Sequence, residues 1–112
     1  MRESEQKDTR QSPTRKKMEA RLKELDARMQ LLSARAERMQ ADAQIKGKAT
    51  MQRLREQRDA AARELEKYRN ATGAALEKIG SGLKKALDDF SNSVDEATEA
   101  FSEKKQGEKD KT

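Results

Sequence analysis

Apolar positions in this chain recur in rows spaced eleven residues apart. One row runs Leu32, Ala43, Leu54, Leu65, Leu76, Leu87. A second runs Tyr68, Ile79, Phe90, Phe101, and a third Ala61, Thr72, Leu83, Val94. Eleven residues make three turns at about 3.67 residues per turn, near the 3.6 of a relaxed α-helix. Each row therefore runs almost straight down one helix face. The pattern predicts an extended, all-α object whose apolar stripe must be laid against something.

The first half carries a tighter pattern. Met18, Leu22, Leu25, Met29, Leu32, Ala36, Met39 and Ala43 are spaced alternately four and three apart. That is a heptad seam of mean period 3.5, the pattern of a left-handed coiled coil. The seam is soft, because Met and Ala hold it and no β-branched residue fixes an oligomeric state. Continued further, the heptad would place Lys46 and Thr50 in the core. Instead the stripe slips by one residue near Gly47 and resumes at Met51 and Leu54. A glycine there costs about 1 kcal/mol relative to Ala, enough for a mild bend. The expected arrangement is one continuous helix over 13–70 with a register skip, roughly 85 Å long at ~1.5 Å per residue.

Start and stop signals divide the chain. Residues 1–12 hold no apolar side chain after Met1 and read as a disordered tail. Ser12-Pro13 is a helix-start signal, a capping side chain followed by a residue that needs no donor at the first position. Asn70-Ala71-Thr72-Gly73 marks a break, read as either a kink or a hairpin turn. Beyond it a shorter amphipathic helix is expected over 71–102, with Leu76, Ile79, Leu83, Leu87, Phe90, Val94 and Phe101 on its apolar face. Gly80 and Gly82 weaken it locally. Residues 103–112 are polar and read as a second disordered tail. The candidate helix-packing interface is thus Met18, Leu22, Leu25, Met29, Leu32, Met39, Met51, Leu54, Leu65 and Tyr68, together with that apolar face.

Composition explains why the stripe matters. The chain is 42% charged, 32% hydrophobic and 3% aromatic. Few large side chains exist to offset the cost of ordering the chain in a single compact core. Charge is unevenly spread. Residues 1–70 carry a net +7 and residues 71–101 a net −3. Two helices of unlike charge suit a hairpin, and oligomerisation would satisfy the same stripe. Glu19 with Lys23, Glu24 with Arg28 and Asp59 with Arg63 stand at the spacing of favourable helical ion pairs.

Candidate chemistry is sparse. No Cys or His is present, which excludes thiol chemistry, disulfides and imidazole base catalysis. Asp88-Asp89 and Asp95-Glu96 read as a solvated acidic face, not as an acid/base pair, since no pocket-forming sequence surrounds them. Gly80-Ser81-Gly82 lacks the pattern of a phosphate loop. Asn70-Ala71-Thr72 matches a glycosylation acceptor by chance. Arg15-Lys16-Lys17 is too short for the basic region of a zipper transcription factor, and acidic Glu19, Glu24 and Asp26 follow it. The expectations are no enzymatic activity, no cofactor, no metal and no specific nucleic acid. No apolar run approaches the roughly 20 residues of a membrane span, and the first residues show no apolar signal region, so a cytoplasmic location is expected. Expected partners are further copies of the chain or another helical protein. The competing expectation is weak contact of an amphipathic helix with a membrane surface or polyanion.

The stretch from Met18 to Phe101 resembles a family of small bacterial coiled-coil stress-response proteins. The resemblance is carried by Arg21-Leu22-Lys23-Glu24-Leu25-Asp26-Ala27-Arg28, by Ala41-Asp42-Ala43 and by Leu54-Arg55-Glu56-Gln57-Arg58-Asp59-Ala60-Ala61. It continues through Leu83-Lys84-Lys85-Ala86-Leu87-Asp88-Asp89-Phe90. The family has Trp where this chain has Ala75 and Ala86. The eleven-residue repeat is also similar to apolipoproteins and late-embryogenesis desiccation proteins. The resemblance implies a non-enzymatic stress or envelope-associated role without defined site residues.

Overall fold

A computed structural model describes residues 13–111, with the side chains of 14–102. Three helices follow one another: α1 (Pro13–Glu37), α2 (Ala41–Asn70) and α3 (Ala74–Lys111). No strand occurs among the described residues. The fold is all-α and elongated, with extents of 65 × 21 × 18 Å.

The continuous helix expected over 13–70 is interrupted at Arg38-Met39-Gln40. The last turn of α1 tightens, with the Arg38 amide donating to the Arg35 carbonyl at 3.1 Å and that of Met39 to Ala36 at 3.2 Å. The Gln44 side-chain amide donates to the Glu37 carbonyl at 2.7 Å and so serves an exposed helix end. Gln40 is extended, and its carbonyl accepts the Gln44 amide at 2.8 Å to open α2. The slip in the apolar stripe is therefore the trace of a turn. Gly47 is not a bend inside a long arm. It is buried in α2, where an added Cβ would lie 3.3 Å from the Ala36 Cβ and 3.4 Å from the Met39 sulfur. A hydrogen at that position lets α2 approach the end of α1 directly beside the turn.

The break at 70–73 is a hairpin turn. The Ala71 amide closes on the Tyr68 carbonyl at 3.2 Å, and Gly73 adopts a left-handed backbone with φ of 62°. That conformation costs L-residues energy and glycine none. The helix that follows is not the shorter one. With 38 residues α3 is longer than α1 or α2, and its backbone continues to Lys111, through most of the segment read as a tail. The expected tail over 1–12, and Thr112, lie outside the described residues.

The three helices run up, down and up. Asp26 meets Arg58 and Glu19 meets Arg69 across the antiparallel α1–α2 pair. Gly80 meets the Tyr68 ring, and Gly82 the Glu64 carboxylate, across the antiparallel α2–α3 pair. The core lies along the common axis. It is built from Leu25, Met29, Leu32 and Ala36 of α1, from Met51, Leu54, Ala61 and Leu65 of α2, and from Leu83, Leu87, Phe90, Val94, Ala97 and Phe101 of α3. Each set is spaced by threes, fours and sevens, so every helix presents a heptad stripe to the other two. Among the described residues no polar or charged residue is buried.

Phe90 is fully buried where the three stripes meet. Phe90→Ala should cost about 3–5 kcal/mol, the usual toll of emptying an aromatic site in a core. Ala at the exposed Leu31 should change stability little. Chemical denaturation of both variants, followed by circular dichroism, checks this. Equal midpoints would show that the shared stripe is not the core.

Candidate interaction surface

The residues expected at a helix-packing interface fall into distinct environments. Leu25, Met29, Leu32, Met51, Leu54, Leu65, Leu83, Leu87, Phe90, Val94 and Phe101 are buried in the shared core. Met18, Leu22, Met39 and Tyr68 are half-buried and pack against its edges. Leu76 and Ile79 are half-buried and stand outside the cluster. Their position explains this. Arg21 pairs with Asp88, and Arg28 with Asp95, both at a sequence offset of 67. By that offset Pro13, the start of α1, lies level with Gly80. Among the described residues, the first turn and a half of α3 therefore extends past Pro13 and has only α2 beside it.

Ion pairs flank the core and fix the relative register of the helices. Arg21 donates to Asp88 at 2.8 Å and Arg28 to Asp95 at 2.9 Å. Both partners advance by one heptad, so one face of α1 meets one face of α3 twice. Arg58 donates to Asp26 across α1–α2 at 3.0 Å and to its neighbour Asp59 at 2.8 Å. Glu19 accepts from Arg15 and from Arg69, each at 3.1 Å. These pairs replace those expected from helical spacing. Glu19 turns to Arg15 and Arg69, Arg28 to Asp95, and Asp59 to Arg58. Arg69 for Glu19 and Asp95 for Arg28 lie on a neighbouring helix that packing brings beside the seam, while Arg15 and Arg58 lie on the same helix as their carboxylates. A signal for the α1–α3 pairs exists in the sequence, as heptad-spaced Arg21 and Arg28 against heptad-spaced Asp88 and Asp95. Sequence reasoning within single helices passes over it.

Two groups respond to these contacts. Partial burial works to raise the pKa of Glu19, but hydrogen bonds from Arg15 and Arg69 and their positive charges outweigh it and hold the carboxyl below its usual range. The Arg58 guanidinium is raised by its hydrogen bond to Asp59, against the opposing effect of burial, with Asp26 adding to the rise. The Gln57 side-chain oxygen is buried without a hydrogen-bond partner.

The hollows on this surface are grooves between helices. One of about 320 Å³ lies between α1 and α2, lined by Ser33, Ala36, Glu37, Lys48, Met51, Gln52 and Arg55. Another, of about 200 Å³, runs between α2 and α3 beside Thr50, Leu54, Ser93 and Ala97. Asp88 and Asp95 are engaged by arginines, and Asp89 by Lys85 at 3.6 Å. Among the described residues no group of three or more acidic, His or Cys side chains is placed to hold a metal. Gly80-Ser81-Gly82 lies inside α3, where Gly80 allows close approach to the Tyr68 ring of α2. The surface is thus made of charged helix faces around an apolar seam, with two large apolar side chains left exposed among the described residues, Leu31 at 72% and Ile45 at 71%. No family model, curated protein or solved structure matches the chain.

The lowered Glu19 carboxyl gives a pH prediction. A carboxylate with a depressed folded pKa contributes stability that is present above its unfolded value and is lost as pH falls through the folded one. The unfolded value is about 4.3. Glu19→Gln should therefore melt slightly below the unaltered protein at neutral pH, and the gap should close on acidification below that range. A gap unchanged from neutral to acidic pH would show that Glu19 acts through packing instead of charge.

Proposed function

We propose that this chain is a non-enzymatic structural or scaffolding protein that acts through helix–helix association. The observation that carries this reading is the distribution of chemistry. Apolar side chains are gathered into heptad seams, and the rest of the surface is charged helix faces and grooves between them. Such a surface offers a partner helix faces to pack on and charges to align with. The partners are further copies of this chain or another helical protein. A stress-protective role in a bacterial cytoplasm accords with the family resemblance given above.

A core of adaptable side chains suits this role. Leu, Met and Ala fill most of it, and among the described side chains of α1 only Leu25, Met29, Leu32 and Ala36 are buried. Leu and Met adapt to altered neighbours at low cost. A bundle of this kind exchanges intramolecular for intermolecular packing without new chemistry, because the same seams serve both.

The competing reading is an amphipathic binder of membrane surfaces or polyanions. Among the described residues no helix is long and apolar enough to cross a membrane. Surface binding by α3 would require exposing Leu83, Leu87, Phe90 and Val94, all fully buried here. The net −3 of residues 71–101 would also be repelled by anionic lipid. Co-sedimentation with anionic vesicles, run beside light scattering at low and high salt, separates the readings. Little protein should sediment with vesicles, and self-association should persist at high salt, because apolar seams are not screened. Strong vesicle binding accompanied by loss of bundle packing would overturn the scaffolding reading.

A further inference from the structure

Helix α1 carries a second heptad series on the side away from the bundle core. Ala20, Glu24, Ala27, Leu31, Ala34 and Arg38 are spaced alternately four and three apart, and all six are exposed. Leu31, at 72% exposure, is the one large apolar side chain in this series. An apolar residue of that size in the middle of a heptad series has the shape of a knob without a hole.

We propose that this outer face of α1 docks a second copy of the chain in antiparallel orientation, Leu31 of each copy packing over Ala27 of the other. The inference rests on the helix-association reading above and names the surface and the partner. Three features of the sequence on this face select that occupant. First, antiparallel pairing of the series with itself sets Leu31 opposite Ala27, Glu24 opposite Ala34 and Ala20 opposite Arg38. Every layer then joins a large residue to a small one, which lets the helices approach closely. Second, the flanking charges complement each other in that orientation. Lys23 of one copy comes beside Glu37 of the other, and both side chains are exposed. Two-fold symmetry repeats each pairing, so the contact closes as a dimer and leaves no matching face open. Third, the like charges on the opposite edge are offset in part. Arg28 of the two copies would meet there, and Arg21 of one would come beside the exposed Arg35 of the other, but each Arg28 is bonded to Asp95 at 2.9 Å and each Arg21 to Asp88. The acidic face of α3 thus offsets part of the like charge that α1 alone would present.

Sedimentation equilibrium of the full chain tests this, with circular dichroism to monitor the fold. The unaltered protein should rise with concentration from 12.7 kDa toward twice that mass. Leu31→Glu should stay at the monomer mass with unchanged helicity. Lys23→Glu and Glu37→Lys should each weaken dimerisation by roughly tenfold, and the double variant should restore it, since the antiparallel register makes these two charges partners. A protein that remains monomeric at all concentrations overturns the proposal and leaves association with another helical protein standing. A dimer indifferent to Leu31→Glu overturns it too, placing self-association on another face. Should Leu31→Glu lose helicity, the charge-swap series decides. Failure of the double variant to regain the mass of the unaltered protein overturns the antiparallel pairing.

Discussion

The structure depends on the return of the chain at Arg38-Met39-Gln40. A single amphipathic helix gains little in water, because one apolar stripe has nothing of its own to pack on. Folding back at this turn brings Leu25, Met29 and Leu32 of α1 to Met51, Leu54 and Leu65 of α2. The second turn then lays α3 along both. With only two Phe and one Tyr in the chain, no two helices hold enough apolar surface to close a core. The third helix supplies Phe90 and Phe101, the largest side chains in the buried set. Three stripes facing one axis are the smallest arrangement that removes all of them from water.

Burial of smooth Leu and Met surfaces does not by itself define how far one helix slides past another. Register comes from contacts at the edge of the core. The matched pairs Arg21–Asp88 and Arg28–Asp95 allow one α1–α3 alignment, since a slide by one heptad leaves one arginine without its aspartate. Each pair is partly exposed and contributes little stability. Their effect is on choice among alignments. On the α2–α3 side the same task falls to close contact. A Cβ on Gly80 would stand 3.0 Å from the Tyr68 ring, so helices brought this near at that level require a glycine there.

Much of this was legible in the residues. Helix class and the break beside Gly73 follow from apolar spacing and glycine, each of which has a local physical cause. The turn at Arg38-Met39-Gln40 has no such cause. Arg, Met and Gln are good helix formers, and Gln40 makes no side-chain capping bond. The chain turns there because tertiary packing repays the lost helical hydrogen bonds. Its only trace in the sequence is the phase slip of the stripe, and that slip surfaces at Gly47, several residues late. Asp26 and Arg58 are hidden for a related reason. They are far apart in the chain, and no spacing rule within one helix joins them. The outer stripe of α1 is hidden differently. Three of its six members are alanine, whose helical preference is satisfied without any contact.

The eleven-residue rows also acquire a physical meaning from the fold. Within each helix the buried positions step by fours and threes, the heptad pattern, and eleven is one heptad plus four. Pairs eleven apart within one helix, such as Leu54 and Leu65 or Leu83 and Val94, thus fall on seam positions whether the underlying period is 3.5 or 3.67. The two periods diverge only over long uninterrupted helices, and here the chain turns twice before they do. Row members that fall in a turn lose their role: Thr72 is exposed, while Ala61, Leu83 and Val94 of the same row are fully buried. The long-range regularity of the sequence is therefore the sum of three short seams. Each reaches its neighbours because the turns at 38–40 and 71–73 return the chain with its apolar face toward the same axis.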